Sequence, residues 1–89
     1  MNEAYCYCVL DRKAGVFNTP YFLINDAVAV RQLNILVNDK SSMIGKFPED
    51  YILYCVGKFD MLKGKLVAED FPREIIQAIQ LEKKNEVKV

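Results

Sequence analysis

The side chains that most often perform catalysis are scarce in this sequence. Histidine, the commonest general base and metal ligand, is absent. Apart from the tyrosines, the hydroxyl nucleophiles are Thr19, Ser41 and Ser42, and none of them lies in a recognisable catalytic motif. Most acidic residues fall at candidate turns, where capping and turn hydrogen bonds account for them. We therefore expect a protein that is not an enzyme.

Three cysteines are the remaining candidates for metal or redox chemistry. Cys6 and Cys8 share one face of a predicted strand, and Cys55 belongs to another. A zinc site normally needs four ligands, often with a C-x-x-C spacing, and this set is one short with no histidine to complete it. We interpret the cysteines as small buried apolar residues in a reducing compartment, and we expect no metal and no cofactor.

Aromatic residues on predicted strands and basic residues near predicted turns could together bind single-stranded nucleic acid. Bases stack on aromatic rings while Lys and Arg contact phosphates. The ordinary alternative is that the rings belong to the core and the cations form a solvated rim. The candidate nucleic-acid-binding residues are Arg12, Lys13, Arg31, Lys46, Tyr51, Tyr54, Lys58, Lys63 and Lys65. Twelve basic and twelve acidic residues cancel, so a single subunit should bind weakly.

The elements that would position these residues can be read from hydrophobic spacing. Apolar alternation predicts strands over 5–10 and 51–59, with Pro20 interrupting a weaker extended segment over 16–24. A helical stripe follows the candidate cap at Asn25-Asp26 and continues to Asn38. A short strand is expected over 65–68.

A second helix is expected to begin at Asp70, with Pro72 in its first turn. The resulting fold class is α+β: a small antiparallel sheet of about four strands, with one or two helices packed on one face. Residues 1–82 should form a single domain, and the charged segment 83–89 should be a disordered tail. No segment is apolar enough to span a membrane, so a cytoplasmic protein is expected.

Two apolar residues of the predicted helix fall outside its core stripe. Val28 and Ile35 are either singly exposed residues or part of a second packing face in an oligomer. The high apolar fraction of 52% favours some surface being used in an interface, and a homo-oligomer is expected.

One set of segments is distinctive when its members are taken together. The most specific is Pro48-Glu49-Asp50-Tyr51, followed by Leu53-Tyr54, Gly57 and Phe59-Asp60. Earlier segments of the set are 11–17, 20–22, 29–31 and 37–39. Over about residues 5–65, the sequence resembles the small nonstructural protein of gokushoviruses, which are microviruses with single-stranded DNA genomes.

The resemblance implies a nonstructural DNA-binding protein of the bacterial host cytoplasm. It would act when replication changes from double-stranded copying to synthesis and packaging of the single-stranded genome. It gives no activity that can be assigned residue by residue. The alternative is a protein-interaction module, either a scaffold for assembly with the capsid protein or an adaptor for a host replication protein.

Overall fold

The computed structural model describes residues 2–83, and of the predicted tail only Lys83 lies within this range. The strands are β1 (Glu3–Asp11), β2 (Val16–Phe17), β3 (Tyr21–Leu23), β4 (Tyr51–Asp60) and β5 (Lys65–Gln77). The helices are α1 (Asp26–Val37) and the single turn α2 (Met43–Lys46). Short 3-10 turns span Pro48–Asp50 and Ala78–Leu81. The predicted α+β class is thus confirmed.

All the strands of residues 2–83 join one antiparallel sheet. β1 and β4 are its centre, β5 pairs with β4 at one edge, and β2 and β3 each pair with part of β1 at the other edge. The break between β2 and β3 contains Pro20, which has no N–H for a ladder, as the sequence predicts.

Helix α1 covers one face of this sheet. Its start is fixed by Asn25, whose side chain accepts a 2.9 Å hydrogen bond from the Val28 amide. Ala29, Leu33 and Val37 are its buried residues, spaced four apart so that they form one stripe. They pack on the inward side chains of β1 and β4, among them Tyr7, Val9, Leu53 and Cys55. We call this side of the sheet the covered face.

The prediction of a second helix from Asp70 is wrong, because β5 continues through this segment to Gln77. Pairing of Leu53 with Ile76 and of Ile52 with Gln77 extends the ladder and packs Ile75 and Ile76 against the core. The apolar stripe from Pro72 to Ile79 is narrow, and burial on the sheet overrides its helical spacing. The helical turn that remains is the 3-10 segment Ala78–Leu81.

The ladder is interrupted at Val56, where both neighbours of β4 change register. Tyr7 pairs with Cys55 and Cys6 with Gly57, so Val56 is a one-residue bulge against β1. On the other side, Cys55 pairs with Arg73 and Gly57 with Ala68, so four residues of β5 oppose Val56. These four, Glu69 to Pro72, form what we call the β5 bulge. No helix within residues 2–83 is long and apolar enough to cross a membrane.

Candidate nucleic-acid interface

The face of the sheet opposite α1 carries a second apolar layer, which we call the open face. Cross-strand pairs lie on the same side of a sheet, so the register identifies its members. They are Ala4, Cys6, Cys8 and Leu10 of β1, Phe17 of β2, Phe22 of β3, Ile52, Tyr54 and Phe59 of β4, and Leu66, Ala68, Glu74 and Gln77 of β5. Glu74 is the one charged residue in this set.

Two aromatic pairs cross the open face above β1. Phe17 and Tyr54 come from the strands on either side of β1, and their ring centroids are 5.4 Å apart at an interplanar angle of 72°. Phe22 and Phe59 form the second pair, with centroids 6.0 Å apart at 66°. Both are edge-to-face arrangements, which aromatic quadrupoles favour.

The small side chains of β1 allow the rings to meet across it. Cys8 is opposite Tyr54, and Cys6 is opposite Phe22. Both cysteines are about 5% exposed although no helix covers them, because the rings lean over them. Burial raises the pKa of both thiols, so they stay protonated at neutral pH. This agrees with their interpretation as small packing residues.

The rings themselves remain accessible to a ligand. Phe17 is 44% exposed and Phe22 is 47% exposed, whereas Tyr54 and Phe59 are half-buried beneath them. Neither phenylalanine was among the candidate residues, because the sequence places both in a segment broken by Pro20. The available signal was the aromatic character of 17 and 22, but their shared face follows only from the pairing of β2 and β3 with β1.

Two turns of the same construction lie at opposite ends of the open face. The first follows Asp11, whose carboxylate accepts hydrogen bonds from the amides of Lys13 and Ala14 at 3.0 and 3.1 Å. The second follows Asp60, whose carboxylate accepts from the amides of Leu62 and Lys63 at 2.9 and 3.1 Å. We call them turn 1 (residues 12–15) and turn 2 (residues 61–64).

Each turn ends in a glycine with a left-handed backbone. Gly15 has φ 73° and Gly64 has φ 63°, and each donates its amide to the carbonyl oxygen of the turn's aspartate at 2.8 Å. The motif D-x-x-x-G therefore specifies both turns. It holds Arg12 and Lys13 at one end of the sheet and Lys63, with Lys65 just beyond, at the other.

Each cationic turn adjoins one aromatic pair. Phe17 is opposite Leu10, the residue before Asp11, so the Phe17–Tyr54 pair lies next to turn 1. Phe59 directly precedes Asp60, so the Phe22–Phe59 pair lies next to turn 2. Ion pairs within 4 Å in the described part of the chain join Lys40 to Glu82, Lys58 to Glu3 and Arg73 to Asp26. The cations of the two turns are therefore available for an external anion.

The other predicted site residues are dispersed. Tyr51 lies on the covered face, is 7% exposed and belongs to the core, so its ring offers no surface for stacking. Burial, followed by the charges of Asp11 and Asp50, raises its pKa. Lys58 is held by Glu3 at 3.4 Å on the covered side. Arg31 and Lys46 are exposed on α1 and α2 respectively. Of the predicted site residues outside the two turns, only Tyr54 lies on the open face.

The predicted oligomer residues occupy the outer side of α1. Ile35 is 66% exposed and Val28 is half-buried. They are seven residues apart and share a helix face with Arg31. Metal binding finds no support in residues 2–83, where no three Cys, Asp or Glu side chains are grouped to hold an ion.

Comparison with known proteins adds one match. A family model described as "Phage ORF5 protein" matches residues 4–81, which include both turns and all of the sheet except its first residue, Glu3. No curated protein and no solved structure matches the chain.

Proposed function

The chain belongs to the Phage ORF5 protein family, and from this premise we propose that it is a non-enzymatic accessory factor that binds single-stranded DNA. Its place of action would be the cytoplasm of the bacterial host, during replication and packaging of a microvirus genome. The family match supports a phage protein, and the resemblance to the gokushovirus nonstructural protein supports the more specific role.

The observation that carries this proposal is the repeated combination of an aromatic pair with a cationic turn. Single-stranded nucleic acid is bound without sequence preference when bases stack on aromatic rings and phosphates meet nearby cations. Phe17 and Phe22 offer partly exposed rings on the open face. Arg12 and Lys13 lie in the turn beside one ring pair and Lys63 lies in the turn beside the other, whereas Lys65, which pairs with Asp60, is on the covered side. The strand of DNA would run along β1 from one turn to the other.

The charge distribution supports weak binding per subunit. The turn aspartates Asp11 and Asp60 accept hydrogen bonds from turn amides, and within residues 2–83 no carboxylate lies within 4 Å of the charged groups of the turn cations. Few phosphates can be neutralised, so affinity should fall with salt but with a shallow slope compared with strongly basic proteins.

Fluorescence anisotropy with labelled oligothymidine at low salt and at about 0.2 M salt tests the proposal. Phe17→Ala and Phe22→Ala should each weaken binding about tenfold, since stacking on one ring is worth about 1–3 kcal/mol per base. The comparison variant is Ile79→Ala, because Ile79 is 39% exposed in the 3-10 turn Ala78–Leu81 and belongs to neither ring pair nor cationic turn. Equal losses in all three variants would contradict a stacking role.

The cations have a matched control as well. Lys13→Gln should weaken oligonucleotide binding and reduce its salt dependence, because one phosphate contact is removed. Lys40→Gln removes the same charge from a residue already paired with Glu82 at 3.1 Å, and it should have a smaller effect. Absence of any binding at low salt would reject the DNA-binding proposal.

The composition of the open face favours a second candidate, a protein-interaction module. Its members other than Glu74 and Gln77 are apolar, which suits a protein partner as well as DNA bases. In this version the partner is the capsid protein or a host replication protein. Retention of purified capsid protein by the wild-type chain, but not by Phe17→Ala, with no binding of oligothymidine, would favour this candidate.

A further inference from the structure

The β5 bulge presents one aromatic side chain outward from the edge of the sheet. Phe71 is 82% exposed, the highest value among the large apolar residues of the described chain. The bulge has four residues opposite Val56 alone, so Phe71 has no cross-strand partner on β4. Glu69 and Asp70 precede it, and Pro72 follows and stiffens the backbone. An apolar ring held out on a stiff segment has the character of an interface anchor.

A groove that could receive such a ring lies at the opposite edge. It has a volume of about 400 Å³ and runs between β3 and the helices. Tyr21 and Leu23 of β3 form one side, and Leu33, Leu36 and Ile44 form the other. Leu36 is 42% exposed, so the groove opens to solvent along an apolar wall. Its volume is ample for a phenyl ring.

The anchor and the groove lie on one row across the sheet. Tyr21 pairs with Tyr7, Tyr7 with Cys55, and Cys55 with Arg73, which immediately follows the β5 bulge. Moving a second copy sideways along this row therefore brings its bulge to the groove of the first. The two surfaces also carry opposite charges. The exposed Arg31 precedes Gln32 of the groove, whereas the acidic Glu69 and Asp70 precede Phe71.

We propose that the chain associates head to tail with a second copy of itself, Phe71 of one copy entering the groove between β3 and α1 of the next. Such an interface uses two different surfaces of the protomer, so it builds an open chain or a ring. It joins the edges of the sheets, and it meets the open face at Phe22, which also lines the groove. This association goes beyond the DNA-binding proposal, although linked open faces would strengthen weak binding.

Light scattering after size exclusion, over a range of protein concentrations and without DNA, tests the interface. The wild type should grow beyond a dimer as concentration rises. Phe71→Ser removes the anchor, and Leu36→Lys places a charge in the groove, so each should raise the concentration for half-assembly at least tenfold. Leu62→Ser is the matched control, since Leu62 is 75% exposed in turn 2 and should not affect assembly.

Mixing the two variants gives the decisive measurement. The Leu36→Lys chain keeps its anchor and the Phe71→Ser chain keeps its groove, so together they can form one intact interface and should give a one-to-one complex. Gln32→Glu, at an exposed groove position, replaces Leu36→Lys if that variant does not fold. A mixture that stays monomeric overturns the proposal. So does a wild-type monomer, or a dimer unaffected by Phe71→Ser, which would indicate pairing through another surface.

Discussion

The covered and open faces are built from the same strands but are closed in different ways. On the covered face, α1 supplies Ala29, Leu33 and Val37, whose side chains are at most 1% exposed. On the open face, rings from the flanking strands lean over β1 and exclude water from Cys6 and Cys8 while remaining partly exposed themselves. The first arrangement is a finished core. The second shields the backbone and retains a surface for contact.

The two closures require different residues in β1. Alternate positions facing α1 hold the bulky Tyr5, Tyr7 and Val9, whereas the positions under the rings hold Ala4, Cys6 and Cys8. Strands that are apolar on both faces usually lie between two layers. Here the second layer consists of the sheet's own aromatic side chains, so both faces of β1 can be apolar although only one of them is covered by a helix.

Truncation on the covered face should have the largest effect on stability. Leu33 is 1% exposed, packs against the sheet and lines the groove between β3 and α1. Leu33→Ala should therefore leave a cavity. We expect the free energy of unfolding to fall by about 3 kcal/mol. Urea denaturation followed by far-UV circular dichroism measures it. Phe17→Ala on the open face is the comparison and should cost about 1 kcal/mol, since the ring is already 44% exposed. Equal losses would remove the distinction between the faces.

The next effect concerns the close approach of β4 and β5 beside the bulge. A Cβ added to Gly57 would lie 2.6 Å from the Val67 carbonyl oxygen and 3.3 Å from the Ala68 Cα, both backbone atoms. Gly57→Ala should therefore cost about 2 kcal/mol in unfolding free energy, because the strands must separate. Gly15→Asn is the control: nothing lies within 4 Å there, and Asn tolerates the left-handed backbone. A Gly57→Ala protein as stable as the wild type would contradict this close approach.

The fold was predictable where local spacing and burial agree. The alternation in β1 and β4, the stripe of α1 and its Asn25 cap all follow from the sequence. The end of β5 could not be predicted in the same way, because the cross-strand partners of Ile76 and Gln77 are more than twenty residues away in the sequence. Pairing with β4 makes this segment a strand. The local spacing of four apolar residues does not indicate whether such a distant partner is present.

The candidate site was predictable only in part, for a related reason. The cations of both turns follow from the repeated D-x-x-x-G motif. Tyr51 and Tyr54 look equivalent in the sequence, yet an odd separation puts them on opposite faces, one in the core and one beneath Phe17. The alternation of residues along a strand separates its two faces, but it does not show which face packs against α1. That depends on the tertiary structure.

A larger side chain beneath the rings should have a smaller effect on stability, and it tests whether the open face depends on the contact between the rings. Cys8→Leu adds bulk beneath the Phe17–Tyr54 pair, where the rings now meet 5.4 Å apart. We expect a loss of about 1–2 kcal/mol in unfolding free energy and weaker oligothymidine binding, because the rings must move apart. Cys8→Ala, which only removes the sulfur, should retain binding. Unchanged stability and binding in Cys8→Leu would show that the ring contact is not required.

The smallest effect concerns the charges at the margin of the covered face. Arg73 of β5 contacts Asp26 of α1 at 2.9 Å, and the buried Tyr7 hydroxyl donates to the same carboxylate at 2.7 Å. The hydrogen bond from Arg73 lowers the pKa of Asp26 below its ordinary 3.8, with a further contribution from Tyr7. Because Asp26 is more acidic when folded, its contribution is complete above about pH 4 and is lost as the pH falls through the lowered pKa.

Asp26→Asn should therefore reduce stability at pH 7 by less than about 1 kcal/mol, since both side chains are nearly half-exposed and solvent screens the pair. The difference between variant and wild type in urea midpoint should shrink as the pH falls below about 4, because protonation of Asp26 then becomes less unfavourable in the unfolded than in the folded chain and the charge contributes less. Asp39→Asn is the control, because Asp39 also has a lowered pKa, from Ser41, but does not link α1 to the sheet. A difference that persists unchanged at pH 3 would mean that packing, and not the charge of Asp26, attaches the end of β5 to the helix.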